Sequence, residues 1–310
     1  MDSINKILPD FLIIGAGKSG TTSIDNYLKQ HPSIFISPKK EPNFFAYELT
    51  DIESLKEYPG ELKHYQESIT NFNDYLRLFE AAKSDQIKGE TSNTYMYGKD
   101  APYRIKHHIP NVKLIAILRQ PAERLYSRYL HLYRDNRLPT PHFSDCKDKS
   151  TIWWQRNDLI NEGFYFKHLS RYYELFPKEN IKVFLYEDIK DDIRGMLKHI
   201  FTFLNVDNTF ECNFSIRYNE SGIIKNKVLN KLIGGNGVVQ NSIKSLAPSL
   251  YSGVKNNLTA QKLINKVRSK NMDKPKIDPE IKHFLTHEVY KEDILQLQAL
   301  INKDLSSWIK

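Results

Sequence analysis

The segment GAGKSGTTS, residues 15–23, has the glycine and hydroxyl spacing of a loop that binds an anion. A nucleotide-binding P-loop reads G-x-x-x-x-G-K-[ST], and Gly15 and Gly20 match its glycines. Thr21 stands at the position of the P-loop lysine, and the only lysine, Lys18, lies inside the loop. Unpaired amides and the dipole at a helix start favour an anion, and Lys18 adds a full positive charge. The alternative is a strand-to-helix turn that uses glycine for its geometry and a Thr or Ser N-cap.

A second segment of this kind follows the apolar stretch KLIAIL, residues 113–118. Arg119 follows that stretch directly, Pro121 falls in the opening of the next helix, and Ser127 comes within about two turns. A guanidinium and a hydroxyl near a helix start make a second phosphate site. The alternative is that Arg119 pairs with Glu123 or caps backbone carbonyls, and the residues alone do not favour either interpretation.

Five short segments, several followed by helical patterns, are the candidate strands of one sheet. They span residues 11–14, 33–37, 86–90, 113–118 and 182–186. This alternation predicts an α/β fold like that of P-loop NTPases, with a mostly parallel central sheet and helices on both faces. Ligands of such sheets lie at the carboxyl ends of the strands. The segments expected to form the site are therefore 15–23, 38–45, 91–95 and 119–128.

The composition is that of a chain with one sizeable α/β core or at most two domains. The 310 residues are 40% hydrophobic, and no apolar run approaches the ~20 residues that cross a bilayer. The amino-terminal MDSINKILPD lacks the basic start and apolar core of a signal peptide, so we expect a cytoplasmic protein. Cys146 and Cys212 are too few for a disulfide framework and lack metal-ligand spacing. We interpret them as thiols and leave a bridge between them open.

The net charge of +8 is concentrated near the carboxyl end of the chain. Between Lys225 and Lys276, eleven Lys or Arg residues stand against the single acid Asp273. Such a segment attracts an anionic nucleotide, glycan, nucleic acid or lipid surface, or else it is a solvated, mobile loop. No composition break divides the chain before residue 220. We therefore predict one domain over residues 1–310, with this basic segment at about 225–276 and a carboxyl-terminal helix at about 278–309.

GAGKSGTTS and LRQPAERLYSRY together resemble the two nucleotide signatures of sulfotransferases that use 3′-phosphoadenosine 5′-phosphosulfate (PAPS). In that family the first signature cradles the 5′-phosphosulfate and the second holds the 3′-phosphate. The family's loop carries its lysine two residues before the second glycine, as Lys18 is placed here. The resemblance implies that adenosine 3′,5′-bisphosphate (PAP) is the product and that no metal ion is required. The PAPS-binding residues it implies are Gly17, Lys18, Ser19, Gly20, Thr21, Thr22, Ser23, Arg119 and Ser127.

SPKKEPNFFAYE is similar to a segment of the Golgi-type and bacterial glycan sulfotransferases, which include the heparan sulfate N- and 3-O-sulfotransferases. Their catalytic base is a Glu shortly before an aromatic pair, and Glu41 matches it in an E-x-x-F-F pattern. Packing beside aromatic rings would raise the pKa of this carboxyl towards the working pH, whereas Lys39 and Lys40 would lower it. Taken alone, a Glu in a Pro-flanked turn is more often a solvated side chain.

His108 is the reserve candidate for the base. The cytosolic sulfotransferases use a His in an H-x-P context, and KHHIPNVKL resembles it. The alternative is a histidine that interacts with the dipole at a helix end.

Two further segments complete the resemblance. In KGETSNTYMY, Asn93 replaces a frequent Pro of the family, and Thr91 stands where the animal glycan enzymes often have a Lys. RYNESGIIKNK resembles the family's adenine and 3′-phosphate loop and implies further nucleotide contacts from Arg217, Asn219, Ser221 and Gly222.

The resemblance implies an enzyme that moves a sulfuryl group from PAPS to a hydroxyl or amine of a carbohydrate or glycolipid. Lys18 would stabilise the bridging oxygen during in-line displacement, and Glu41 would take the proton. Its partners would be the nucleotide and the glycan. If the acceptor is bound to a membrane, the protein would contact that membrane peripherally, and no nucleic acid is expected as a partner. The acceptor, the choice between O- and N-sulfation and the oligomeric state are left open.

Two other classes of protein remain as alternatives. A P-loop kinase-like enzyme shares the fold but needs a Lys at position 21 and an acidic magnesium ligand, so magnesium dependence and a preference for ATP would identify it. A basic module that binds anions or nucleic acid explains segment 225–276 but not Glu41. Steeply salt-dependent binding of DNA or RNA would identify that class.

Overall fold

The computed structural model describes residues 7–56, 60–214, 223–224, 272–273 and 275–310. By their contacts the residues form two units. The larger unit comprises Met1–Arg128, Pro139–Cys212 and Asp278–Lys310, and the smaller comprises Tyr129–Leu138 and Asn213–Ile277. In the smaller unit, Ile223–Ile224 pairs antiparallel with Met272–Asp273.

A five-stranded parallel sheet forms the centre of the larger unit, in the order β2-β3-β1-β4-β5. The strands are β1 (Phe11–Gly15), β2 (Ile34–Ile36), β3 (Ile87–Thr91), β4 (Lys113–Leu118) and β5 (Ile181–Leu185). All five residues of β1 are buried, as expected of a central strand covered on both faces. The predicted α/β class and the five predicted strands are confirmed. The last strand ends one residue earlier than predicted, because Tyr186 begins a helix.

Fourteen helices lie in the described ranges, and several of them directly follow a strand of this sheet. They are α1 (Thr21–Leu28), α2 (Phe44–Tyr47), α3 (Ile52–Leu55), α4 (Glu61–Glu67), α5 (Phe72–Arg77), α6 (Thr94–Tyr97), α7 (Ala101–His108), α8 (Pro121–Arg134), α9 (Ile152–Gln155), α10 (Tyr165–Leu175), α11 (Tyr186–Leu204), α12 (Pro279–Phe284), α13 (Lys291–Ile301) and α14 (Ser306–Ile309). Single 3-10 turns lie at Phe143–Lys147, Asn161–Gly163 and Lys178–Asn180. None of the helices in the described ranges is long and apolar enough to span a membrane.

Helix α1 packs through the apolar face that its sequence predicts. Ile24, Tyr27 and Leu28 are buried on one face, as their spacing predicts. Helix α8 begins at Pro121, where proline's fixed φ suits the first helical position. Because the strands are parallel, their carboxyl ends meet at one edge of the sheet. The predicted site segments follow these ends.

The carboxyl-terminal region is helical but is not one regular helix. A π-helical stretch, Leu285–Tyr290, joins α12 to α13, and Asn302 then adopts a left-handed φ of 51° that ends the run. Buried Thr286 of this stretch accepts a hydrogen bond from Gln120 beside α8. The basic segment predicted at about 225–276 lies almost wholly outside the described residues.

Candidate functional site

The first loop bends sharply between β1 and α1. Gly15 and Gly20 have φ values of 146° and 93°, and Lys18 adopts a left-handed φ of 67°. A Cβ added at Gly15 would lie 2.8 Å from the Cβ of Met96, and one at Gly20 would lie 2.6 Å from Cδ1 of Ile189. Gly15 therefore requires glycine for space as well as for backbone conformation, and Gly20 requires it for its positive φ. Within the loop, Ser19 is fully buried, Thr21 is almost so, and Thr22 and Ser23 are partly exposed.

A buried carboxylate, Glu162, holds this loop. The Gly17 amide donates to Oε1 of Glu162 over 2.6 Å, and Arg124 donates to Oε2 over 2.8 Å. Burial raises the pKa of Glu162, whereas Arg124 and the hydrogen bond from the Gly17 amide lower it. The effect of burial is the larger one, so the net pKa is above the ordinary value. Arg124 lies on α8, the helix of the second signature, and has no exposed surface. Glu162 therefore ties the first loop to the second signature.

A second buried carboxylate, Asp158, accepts hydrogen bonds from two arginines. Arg128 of α8 donates to Oδ2, and Arg156 donates to both oxygens at 2.9 and 3.0 Å. Burial opposes ionisation of Asp158, but the charges of Arg128 and Arg156 outweigh it and hold its pKa well below the usual range. His64 of α4 lies 3.9 Å from the same carboxylate. These charges fix α8 against the segment before α10.

Arg119 and the first loop converge on Tyr186, at the start of α11. The Arg119 guanidinium lies 4.7 Å from the Tyr186 ring centroid, and a Cβ at Gly20 would lie 3.5 Å from that ring. Arg119 also donates to Glu123 over 3.3 Å, so the pairing anticipated as its alternative role is present. Ser127 is buried on α8, the helix that follows Arg119. The sequence pattern assigned Tyr186 to a strand end and therefore missed this contact.

Glu41 occupies a turn between β2 and α2 with an unusual backbone. Glu41 and Asn43 both have a φ of 55°, a left-handed conformation that costs about 1–2 kcal/mol for residues with a Cβ. Three hydrogen bonds hold this turn against the end of β3. The Glu41 amide donates to the Thr91 carbonyl over 2.9 Å, and the Asn43 amide donates to Oγ of Ser92 over 3.0 Å. Thr94 completes the set by donating to Oδ1 of Asn43.

The Glu41 carboxylate is held through one oxygen only. Oε1 accepts from Nζ of Lys40 over 2.9 Å and from Nδ2 of Asn93 over 2.8 Å. Among the residues that the structure describes, nothing donates to Oε2, and 45% of the side chain is exposed. Partial burial raises the pKa of Glu41, but Lys40, with smaller contributions from Arg128 and His64, more than offsets this. The net pKa is below the ordinary value, so of the two opposing effects anticipated the lowering by lysine is the larger.

Glu90 supports the Glu41 turn from inside the protein. Its buried carboxylate accepts from Tyr95 at 2.6 Å, Tyr75 at 3.2 Å and Ser92 at 2.8 Å. Burial raises the pKa of Glu90 to about 7, against the lowering effect of these hydroxyls. Because Ser92 also accepts from the Asn43 amide, the network connects Glu90 to the turn.

Thr91, the last residue of β3, contacts the helix that follows the first loop. Its hydroxyl donates to Oδ1 of buried Asp25 on α1 over 2.8 Å, and Asp25 pairs with Lys29 at 2.7 Å. Thr91 thus anchors α1 to the end of β3.

His108 has a partner of its own at the end of α7. Its Nε2 lies 2.8 Å from Oε1 of Glu48, and its ring stacks on Phe72 with centroids 4.9 Å apart. Phe44 and Phe45, both fully buried, pack against the same ring.

The remaining predicted nucleotide contacts lie outside the described residues; they are Arg217, Asn219, Ser221 and Gly222.

Known proteins resemble this chain in sequence and in fold. The sulfotransferase domain family matches residues 8–232. The bifunctional heparan sulfate N-deacetylase/N-sulfotransferase 4 of Mus musculus is 27% identical over 206 residues, covering 64% of this chain and 22% of that protein. Carbohydrate sulfotransferase 15 of Mus musculus is 27% identical over 260 residues, covering 65% and 44% respectively. The chain thus spans less than half the length of these two relatives.

A crystal structure of a sulfotransferase from Alicyclobacillus acidocaldarius has the same fold over nearly its whole length. The TM-score is 0.70 at 25% identity, and the match covers 98% of this chain and 99% of that one. The family match spans both nucleotide signatures and the Glu41 turn. The parallel five-stranded sheet, the glycine loop after β1 and these matches together show that the chain belongs to the sulfotransferase family.

Proposed function

We propose that this sulfotransferase moves a sulfuryl group from PAPS to a hydroxyl or amine of a carbohydrate or glycolipid, with Glu41 as the base. One observation carries the proposal: both donors to the half-exposed Glu41 carboxylate bind Oε1, which leaves Oε2 able to take a proton. A carboxylate that remains ionised at neutral pH can act as an acceptor for such a proton.

The first loop suits a phosphosulfate by shape and charge. Gly15 and Gly20 have positive φ values that let the loop turn tightly before α1, and backbone amides at a helix start favour an anion. We assign the 5′-phosphosulfate to this loop, with Lys18 at the bridging oxygen and Thr21 and Thr22 at the phosphate oxygens. The Gly17 amide is already used by Glu162, so we assign Gly17 a shaping role in the loop. Arg119 and Ser127 would hold the 3′-phosphate.

The reaction then needs only positioning, charge neutralisation and one proton transfer. The acceptor oxygen or nitrogen forms a bond to sulfur as the bond from sulfur to the 5′-phosphate oxygen breaks. The acceptor proton passes to Oε2 of Glu41, and PAP leaves with the electron pair of the broken bond. Lys18 offsets the charge that develops on the leaving oxygen, as in phosphoryl transfer. This mechanism requires no metal ion.

The acceptor class rests on the relatives, which include heparan sulfate and carbohydrate sulfotransferases. Nucleotide contacts from Arg217, Asn219, Ser221 and Gly222, peripheral contact with a membrane-bound acceptor and a cytoplasmic location all stay predictions.

An acceptor screen tests the proposal. The protein is incubated in EDTA with PAPS and, separately, N-desulfated heparin, chondroitin or a long-chain glycolipid, and sulfated products are measured by mass spectrometry. We expect transfer to at least one of them and a loss of about 10²–10⁴-fold in kcat for Glu41→Gln. Glu53→Gln is the control, since Glu53 is an exposed carboxylate paired with Lys56. Full turnover by Glu41→Gln would disprove the base, and phosphoryl transfer from magnesium ATP instead would support the kinase-like alternative.

A further inference from the structure

Asn93 is the only described residue outside the Glu41 turn that donates to the Glu41 carboxylate. Its Nδ2 lies 2.8 Å from Oε1 of Glu41, and this is its one side-chain hydrogen bond among the described residues. Its Oδ1 is buried and has no partner within that part of the chain. The reverse amide orientation would set Oδ1 against the carboxylate, so Glu41 fixes the orientation. An unpaired buried oxygen is unfavourable, and such groups in native structures call for a functional explanation.

The backbone of Asn93 is well placed to act as a rigid support. It lies two residues beyond β3, directly before the fully buried helix α6. Its carbonyl oxygen lies 3.5 Å from the position that a Cβ would take at Gly15. The residue thus stands between the first loop and the Glu41 turn. Lys40, the other donor, has a long side chain that is 27% exposed and is a less rigid support.

We propose that Asn93 is a positioning residue that holds Oε1 of Glu41, so that Oε2 faces the acceptor. This inference rests on the proposed function of Glu41 as the base.

Titration of Glu41 tests the inference without any acceptor. The Cδ resonance of Glu41 is followed by carbon-13 NMR and assigned by its loss in Glu41→Gln. Asn93→Asp keeps the side-chain shape but replaces the donor by a like charge, so we expect the pKa of Glu41 to rise by about one pH unit or more. Asn93→Ala removes the donor without adding a charge and should raise the pKa less. Asn180→Asp is the charge control, because Asn180 lies just before β5 at the opposite edge of the sheet.

A double-mutant cycle in kcat then separates this inference from the base assignment. With the best acceptor of the screen, Asn93→Ala should lower kcat about tenfold to hundredfold, the range for a hydrogen bond to a charged group, and leave PAP affinity unchanged. In the Glu41→Gln background it should have no further effect. An unchanged Glu41 titration in both folded Asn93 variants would overturn the inference alone. Full turnover by Glu41→Gln would overturn the base assignment and this inference together.

Discussion

Replacing Glu90 by glutamine should change how the stability of the protein depends on pH. Burial raises the pKa of Glu90 from an ordinary value of 4.5 to about 7. At 1.36 kcal/mol per pH unit, this rise of about 2.5 pH units means that ionising Glu90 costs the folded state about 3 kcal/mol. The folded state binds this proton more tightly than the unfolded chain. The stabilisation is therefore complete below about pH 4.5 and is lost as the pH rises through about 7.

Urea unfolding at pH 4.5 and pH 8 measures the effect. The amide introduced by Glu90→Gln cannot ionise, so the free energy of unfolding of this variant relative to wild type should improve by about 3 kcal/mol between these two conditions. Glu174→Gln is the matched control, because Glu174 is an exposed carboxylate on α10. It should follow the wild-type pH dependence. A difference between Glu90→Gln and wild type that is the same at both pH values, or that moves the other way, would refute the reasoning.

Three further substitutions test the loop, its support and the reserve base. Gly20→Ala forces a φ of 93° on a residue with a Cβ and crowds Ile189, so PAP affinity measured by calorimetry should fall about tenfold or more. An unchanged affinity would mean that the loop does not hold PAP. Glu162→Gln leaves buried Arg124 without its counter-ion and should lower the free energy of unfolding by about 3–5 kcal/mol, whereas a negligible loss would contradict the buried pair. His108→Ala should leave kcat near wild type, because His108 pairs with Glu48, and a hundredfold loss would make His108 the base.

The sheet was predictable mainly from its two central apolar strands, β1 and β4. β1 and β4 are buried almost throughout and show the strongest pattern. The start of α11 at Tyr186 was missed, since an aromatic residue after an apolar run also suits a strand. The π-helical stretch Leu285–Tyr290 has no local signal either. It contacts Gln120, far away in the sequence, and such tertiary contacts cannot be predicted from periodicity.

Within the site, the local spacing of residues was sufficient to predict the glycine loop and to select Glu41 as a candidate base. It gave no indication of Glu162, which is 145 residues from its partner Gly17, or of the buried role of Glu90. A single carboxylate in a polar segment is usually solvated, so only the three-dimensional structure distinguishes these buried acids from surface ones. The opposing effects on the pKa of Glu41 were anticipated, but their balance depends on the direct contact with Lys40.

Calorimetric titration with PAP and with ATP, both in EDTA, tests the central claim most directly. We expect micromolar or tighter binding of PAP to the wild type, much weaker binding of ATP, and weakened PAP binding in Lys18→Ala and Arg119→Ala. Glu53→Gln should bind PAP like the wild type, because Glu53 is exposed and paired with Lys56. Failure of PAP to bind, together with binding of ATP only when magnesium is restored, would contradict the PAPS assignment and identify a divergent NTP-binding enzyme.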